Sequence, residues 1–241
     1  MPFTLTPLLS SKIPSFAALD EAAMSTWPFA RAMAHEAQLK GFGSRQALIE
    51  SMVRETFDRG AQNEVYLKVV DEESGEMVAA AGWRREGKGE VVGERKEERS
   101  EGGEEGLETV FRRMGEAWGG FREEWFAGEE IWRRFFWGLA WVDLCLLLTR
   151  FVVVDLVVLV THPYWQRRGA GSMLVEWGCK KADEEGLKCA LHASAAGLAV
   201  YTKHGFEVVK ETDFDLSPYG VEGMEIRRAM IRMPRGQGVQ R

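Results

Sequence analysis

The sequence predicts an α/β domain in which helices alternate with the strands of one sheet. Three observations carry this expectation. A hairpin pattern runs from Glu64 to Arg84. A β-branched run, Phe151 to Val160, is too apolar for a strand with one wet face and reads as a central strand covered on both sides. That run feeds a glycine-containing loop, a helix and further strands as far as Met233. The 241 residues are 45% hydrophobic and 28% charged, the balance of a folded globular chain. With 31 Lys and Arg against 37 Asp and Glu, the net charge is −6. Such a balance argues against a dedicated nucleic-acid binder, which normally presents a basic face.

Phe3 to Leu9 is a short strand, and Ile13-Pro14 opens a helical stretch through Met24. Ser44 caps a second helix, Arg45 to Phe57, with Leu48, Ile49, Met52, Val53 and Phe57 on one face. Glu64 to Asp71 alternates apolar and polar residues. Glu76 to Arg84 follows after the turn Glu73-Ser74-Gly75, so the two read as an antiparallel hairpin. Residues 84 to 106 are Glu, Lys, Arg and Gly except for Val91, Val92 and Ser100. Such a segment cannot bury enough apolar surface to offset its ordering entropy. The expectation is a single domain over 1–241 with a disordered, solvated insert at about 85–106. Leu107 to Trp141 is Trp-rich and helical in pattern, with Trp118, Trp125, Trp132, Trp137 and Trp141 packing a helix on the sheet.

Phe135 to Val160 resembles a membrane span only superficially. Asp143, Arg150 and Asp155 interrupt it, and no uncharged piece approaches the roughly 20 residues that a span requires. A buried helix followed by a buried strand, with no membrane partner, is the expectation; membrane association through 135–160 is the alternative. The apolar segment at about 135–150 reads either as a helix over a substrate groove or as a segment foreign to the working protein. Met1 to Ser10 lacks the basic start and apolar core of a secretory signal. Cys145, Cys179 and Cys189 are odd in number and show no C-x-x-C spacing, and the four histidines show no H-E-x-x-H pattern. No metal site is expected. The compartment reads as reducing, cytoplasmic with a nuclear place left open.

After the apolar strand come Thr161 to Arg168, then Gly169-Ala170-Gly171 and a helix, Ser172 to Glu185, that Gly186 stops. Leu187 to Ala193 is a strand, Ala196 to His204 a short helix, Phe206 to Val209 the start of a strand, and Glu225 to Met233 the last one. The loop does not fit a P-loop, because no Lys follows Gly171. Nor does it fit a Rossmann fingerprint, because Gly169 lies too far beyond the strand and Leu174 takes the third glycine position.

Gln166-Arg167-Arg168-Gly169-Ala170-Gly171 instead resembles the Q/R-x-x-G-x-G/A motif of the GNAT superfamily of acetyl-CoA-dependent N-acetyltransferases. Ala195 to Phe206, with Tyr201, Gly205 and Phe206, is similar to that family's A-x-x-x-Y-x-x-x-G-F pattern, with Gly197 at its first position, and the two motifs stand at the family's separation. The resemblance covers about residues 151 to 233 closely. It implies a mixed, mostly antiparallel central sheet flanked by helices, with two central strands splayed apart.

The physical reason for such a loop is that coenzyme A carries a pyrophosphate. A helix start offers unpaired N–H groups and a positive dipole end. Successive N–H groups from Arg167 to Ser172 can converge on the anion, while Gly169 and Gly171 permit positive φ and close backbone approach. The resemblance implies cosubstrate contacts at Leu159, Val160 and Thr161, where the pantetheine arm would bond the first splayed strand, and at Gln166, Arg167, Arg168, Gly169, Ala170, Gly171 and Ser172. Ser194 reads either as a further contact or as a helix cap.

Acyl transfer needs a neutral amine, a stabilised oxyanion and a protonated leaving thiolate. Tyr201 stands where the family commonly places the proton donor, and a backbone N–H near Val160 would polarise the thioester carbonyl. Asp155 matches the glutamate base of some histone-type members, or else it is an edge solubiliser; His162 and His204 are the other candidate bases. The implied activity is acetyl transfer from acetyl-CoA to a small-molecule or peptide amine, in a monomer or homodimer. The rival class is a non-catalytic CoA-binding module.

Overall fold

The computed structural model describes residues 2–60, 62–87 and 151–236. The Trp-rich stretch, the segment at 135–150 and nearly all of the charged insert lie outside them. Seven strands form one sheet: β1 (Phe3–Pro7), β2 (Glu64–Asp71), β3 (Met77–Gly87), β4 (Phe151–Thr161), β5 (Lys188–Ala193), β6 (Glu207–Asp215) and β7 (Met224–Arg232). Their order is β1-β2-β3-β4-β5-β7-β6. Only β4 and β5 run parallel; every other pair is antiparallel. The mixed, mostly antiparallel sheet agrees with the expectation.

The β2–β3 hairpin closes where Asp71 accepts from the Ser74 backbone N–H at 2.9 Å and its hydroxyl at 2.8 Å, while Gly75 takes φ 72°. β3 runs on to Gly87, so Arg84 to Gly87 belong to the sheet rather than to the insert. Pairing against β4 decides this, and composition alone cannot show it.

Helix α4 (Ala170–Glu185) crosses one face of the sheet. Its Leu174, Val175, Cys179 and Ala182 pack with Val154, Leu156, Cys189, Leu191 and Met230. Burying one such Leu or Val contributes about 1.5–3 kcal/mol. The helix lies so close that a Cβ on Gly178 would fall 2.2 Å from Cε2 of Trp83. Arg232 on β7 ties α4 down, with Nη1 and Nη2 at 2.8 and 2.7 Å from the two Asp183 carboxylate oxygens.

The opposite face carries α1 (Ile13–Met24) and α3 (Arg45–Asp58). Ile13, Phe16, Leu19 and Val53 pack there on Ala80 and Val160. Ser44 caps α3 as expected, its hydroxyl accepting from the Ala47 N–H at 3.1 Å. Arg45 joins α3 to α1 by binding both oxygens of Asp20, at 2.6 and 2.8 Å.

The sequence reading missed α2 (Pro28–Leu39), although Pro28 at its first position is a recognised start signal. Phe29, Ala32 and Met33 of α2 pack against Phe214, Leu216, Tyr219 and Val221. The short helix α5 (Leu198–Lys203) follows β5. Residues 151–160, part of the stretch considered as a membrane span, form β4. Among the described residues, no helix is long and apolar enough to cross a membrane.

Candidate active site

The site begins with a defect in the sheet. Along β4, the β3 partner passes from Val158 opposite Gly82 to Leu156 opposite Trp83, so Val157 is an extra residue, a β-bulge. At the same level the parallel ladder stops. Val153 to Leu156 pair with Lys188 to Leu191, and neither strand pairs with the other beyond that point. β4 continues to Thr161 held only by β3, and β5 continues to Ala193 held only by β7. The two strands thus splay, and the backbone groups of Val157 to Thr161 that face β5 have no ladder to enter. An unladdered polar backbone edge of this kind suits an extended amide-bearing ligand. Leu159, Val160 and Thr161 lie along it.

The loop closes the wide end. Pro163–Trp165 makes one tight 3-10 turn, and Gln166 Nε2 donates to the Thr161 carbonyl at 3.3 Å. Arg167 has φ 62° and Gly169 φ 97°, both left-handed. For a non-glycine residue such as Arg167 this conformation is uncommon and costs of order 1–3 kcal/mol. The two left-handed residues stand just before α4, where Gly169 supplies no side-chain cap, and successive N–H groups in such a turn can form an anion-binding concavity. A Cβ on Gly171 would sit 3.1 Å from Thr161 Oγ1, a tight contact that glycine avoids where the helix start approaches β4. Such a loop can hold an anion such as a pyrophosphate. Arg168 is fixed with its guanidinium 4.8 Å from the Tyr164 ring centre and 5.0 Å from that of Trp165.

The second motif touches the first. Ser172 Oγ lies 2.7 Å from His204 Nε2, joining α4 to the end of α5. His204 is half-buried rather than a surface residue, and burial lowers its pKa. Its carbonyl accepts from Arg232 Nε at 3.0 Å. Tyr201, one turn earlier, is 8% exposed. Burial raises its phenol to about 12, with the positive charge of Arg227 pulling the other way. Its ring lies over Gly197, where a Cβ would come within 2.6 Å of Tyr201 Cε2. Gly197, not Ser194, is the residue that caps α5, and the Ser194 carbonyl accepts from the Gly197 N–H at 3.1 Å.

Asp155 is 2% exposed on a strand paired on both sides, so the reading as an edge solubiliser fails. Val154 and Leu156 point to α4, and alternation turns Asp155 to the opposite face, one rung before the splay. The same argument puts His192 of β5 on that face, because Leu191 and Ala193 pack toward α4. Burial drives the His192 imidazole down to about 3, with the charge of Arg227 adding to the effect. His162 lies in the loop, its Nδ1 accepting from the Tyr164 N–H at 3.3 Å.

The sequence reading missed Arg227, Trp27 and Glu225. Arg227 Nη2 donates to the His192 carbonyl at 3.1 Å, and its guanidinium stacks over Trp27 at 4.9 Å and Phe29 at 5.6 Å. Trp27 Nε1 donates to Glu225 Oε1 at 2.7 Å. The signal was present in Met224–Arg232, where alternation sends Arg227 to the face shared with Ala229 and Ile231. Among the described residues, no group of His, Cys, Asp and Glu is arranged to hold a metal ion.

Comparison with known proteins bears on this geometry. Residues 121–206 match the model of the Acetyltransferase (GNAT) family. No curated protein matches the sequence significantly. Among solved structures, arylalkylamine N-acetyltransferase 2 from Aedes aegypti is similar with a TM-score of 0.63 at 12% identity, covering 98% of this chain and 100% of that one. The polyamine N-acetyltransferase of Drosophila melanogaster, which catalyses formation of N-acetylagmatine, gives 0.61 at 11% identity, covering 96% and 100%. Histone acetyltransferase HPA2 and related acetyltransferase from Corynebacterium glutamicum gives 0.55 at 18% identity, covering 99% and 100%. At these identities the structures establish the fold, and the match to the Acetyltransferase (GNAT) family model covers residues 121–206.

Proposed function

We propose that the chain is an acetyl-CoA-dependent N-acetyltransferase that moves an acetyl group to a primary amine by direct attack in a ternary complex. One observation carries the reading. The β4–β5 ladder stops at Leu156 and Leu191, and a loop with two left-handed residues closes the opening.

Each residue then has a task. The N–H groups of Arg167 to Ser172 hold the pyrophosphate, with Arg168 steadied by its two rings. The β4 edge at Leu159, Val160 and Thr161 aligns the pantetheine arm, and an N–H near Val160 polarises the thioester carbonyl. Gln166 braces the edge through the Thr161 carbonyl, and Ser194 stands at the end of the facing strand. Tyr201 donates a hydrogen bond to the departing sulfur. Asp155 accepts the amine proton from the opposite face. His192 is a poor base because burial holds it neutral far below physiological pH. His204 is engaged by Ser172.

Similar structures include enzymes for arylalkylamines and polyamines, so a small-molecule amine leads the acceptor classes. The test is release of the CoA thiol from acetyl-CoA across an amine panel, with CoA affinity measured by calorimetry. Acetylation of at least one acceptor supports the reading. CoA binding with no turnover on any acceptor would make the protein a binding module instead.

A further inference from the structure

Among the described residues, three arginines are almost fully buried: Arg45 at 4% exposure, Arg232 at 3% and Arg227 at 9%. Arg45 and Arg232 each bind both oxygens of an aspartate. Arg227 differs. Its one hydrogen-bond acceptor among the described residues is a neutral carbonyl, that of His192. Glu225 acts on the guanidinium through space, and its Oε1 accepts from Trp27 Nε1. A buried cation without a paired anion is costly, and the cost falls when an anion arrives.

The location fits such an anion. His192 is the first β5 residue beyond the last rung of the β4–β5 ladder, so Arg227 reaches the lip of the splay. It does so from the face that carries Asp155, while its charge is still felt at Tyr201. Trp27 and Phe29 fix the guanidinium plane, which lowers the entropy lost when a planar anion binds.

We propose that Arg227 binds a carboxylate of the acceptor, so that the acceptor is an amino acid-type amine rather than a simple alkylamine. The inference rests on the acetyltransferase reading above. Arg227 makes a charge-assisted contact with the carboxylate and thereby sets the amine beside Asp155. Acceptors that lack the carboxylate leave the guanidinium buried and unpaired.

Matched pairs that differ only in this group test the proposal on the unmodified protein. L-arginine is compared with agmatine, L-tryptophan with tryptamine and L-lysine with cadaverine, within a screen of all twenty amino acids. Calorimetry with saturating CoA reads binding, and thiol release reads turnover. The expected result is at least tenfold tighter binding and at least tenfold higher kcat/KM for the carboxylated member of any pair that is accepted. Arg227→Gln is expected to raise KM for that member and leave its decarboxylated partner within about threefold. Equal or better binding of the decarboxylated partners overturns the proposal, as does binding of none of the twenty amino acids. An equal fall in kcat for both members in Arg227→Gln also overturns it, since the guanidinium would then serve the reacting carbonyl. Carboxylate-dependent binding without turnover of any acceptor would leave Arg227 assigned and refute only the acetyltransferase reading.

Discussion

Replacing Tyr201 by Phe removes one hydroxyl and keeps the ring packed on Phe206 and over Gly197. The structure sets the size and the pH dependence of the effect. Burial raises the phenol to about 12, against roughly 8.5 for an ordinary thiol. The gap of about 3.5 units corresponds to on the order of 5 kcal/mol against complete proton transfer to a solvated thiolate. In the proposed reaction the hydroxyl therefore serves as a hydrogen-bond donor to the leaving sulfur, sharing its proton as charge develops. Loss of that donor is expected to lower kcat about 10- to 100-fold, with CoA affinity changed by less than about 1 kcal/mol. A phenol this weak stays protonated, so Tyr201 adds no alkaline limb to kcat below about pH 11. The assay is a pH–rate profile of wild type and Tyr201→Phe, with melting curves to confirm folding. Since removing the hydroxyl opens no large cavity, Tm is expected to move by less than about 4 °C. Full kcat in the folded variant, or a wild-type limb near pH 9 that vanishes in it, would refute the reasoning.

Gly171→Glu places a side chain against Thr161 Oγ1 and a negative charge at the start of α4. It is expected to abolish measurable CoA binding with the fold retained; calorimetric binding within about threefold of wild type would remove the loop assignment. Asp155→Asn is expected to lower kcat by about 10²-fold with CoA affinity unchanged and the low-pH limb of kcat/KM altered. An unaltered profile would exclude Asp155 as the base. Hydrogen bonding to Arg232 holds the Asp183 pKa below 3.8. Its folded pKa is therefore the lower one, so its stabilisation is present above the unfolded value and is lost as pH falls through the folded value. Urea midpoints below pH 4 should drop in wild type, and Asp183→Asn should lack that component while lowering the midpoint at neutral pH. An identical acid slope in both proteins would show that the pair does not control it.

Much of this protein was determined by sequence alone. The apolar run at 151–160, the glycine loop after it and the Tyr201–Gly205–Phe206 pattern mark the proposed cosubstrate side, because phosphate binding depends on local backbone conformation. Glycines at fixed offsets and a helix start record that conformation in the chain itself. Sequence likewise located the β2–β3 hairpin and the Ser44 cap, since turns and caps are made by neighbours in the chain.

What sequence left open depends on which strand lies beside which. The splay exists because the β4–β5 ladder ends at Leu156 and Leu191, residues 35 positions apart whose pairing no local pattern encodes. The burial of Asp155 follows from β3 and β5 on its two sides. Arg227 reads as one charge in a strand until β7 is set beside β5 and α2 brings Trp27 and Phe29 over the guanidinium. Acceptor recognition draws its groups from four elements far apart in sequence, so only tertiary structure could bring them together.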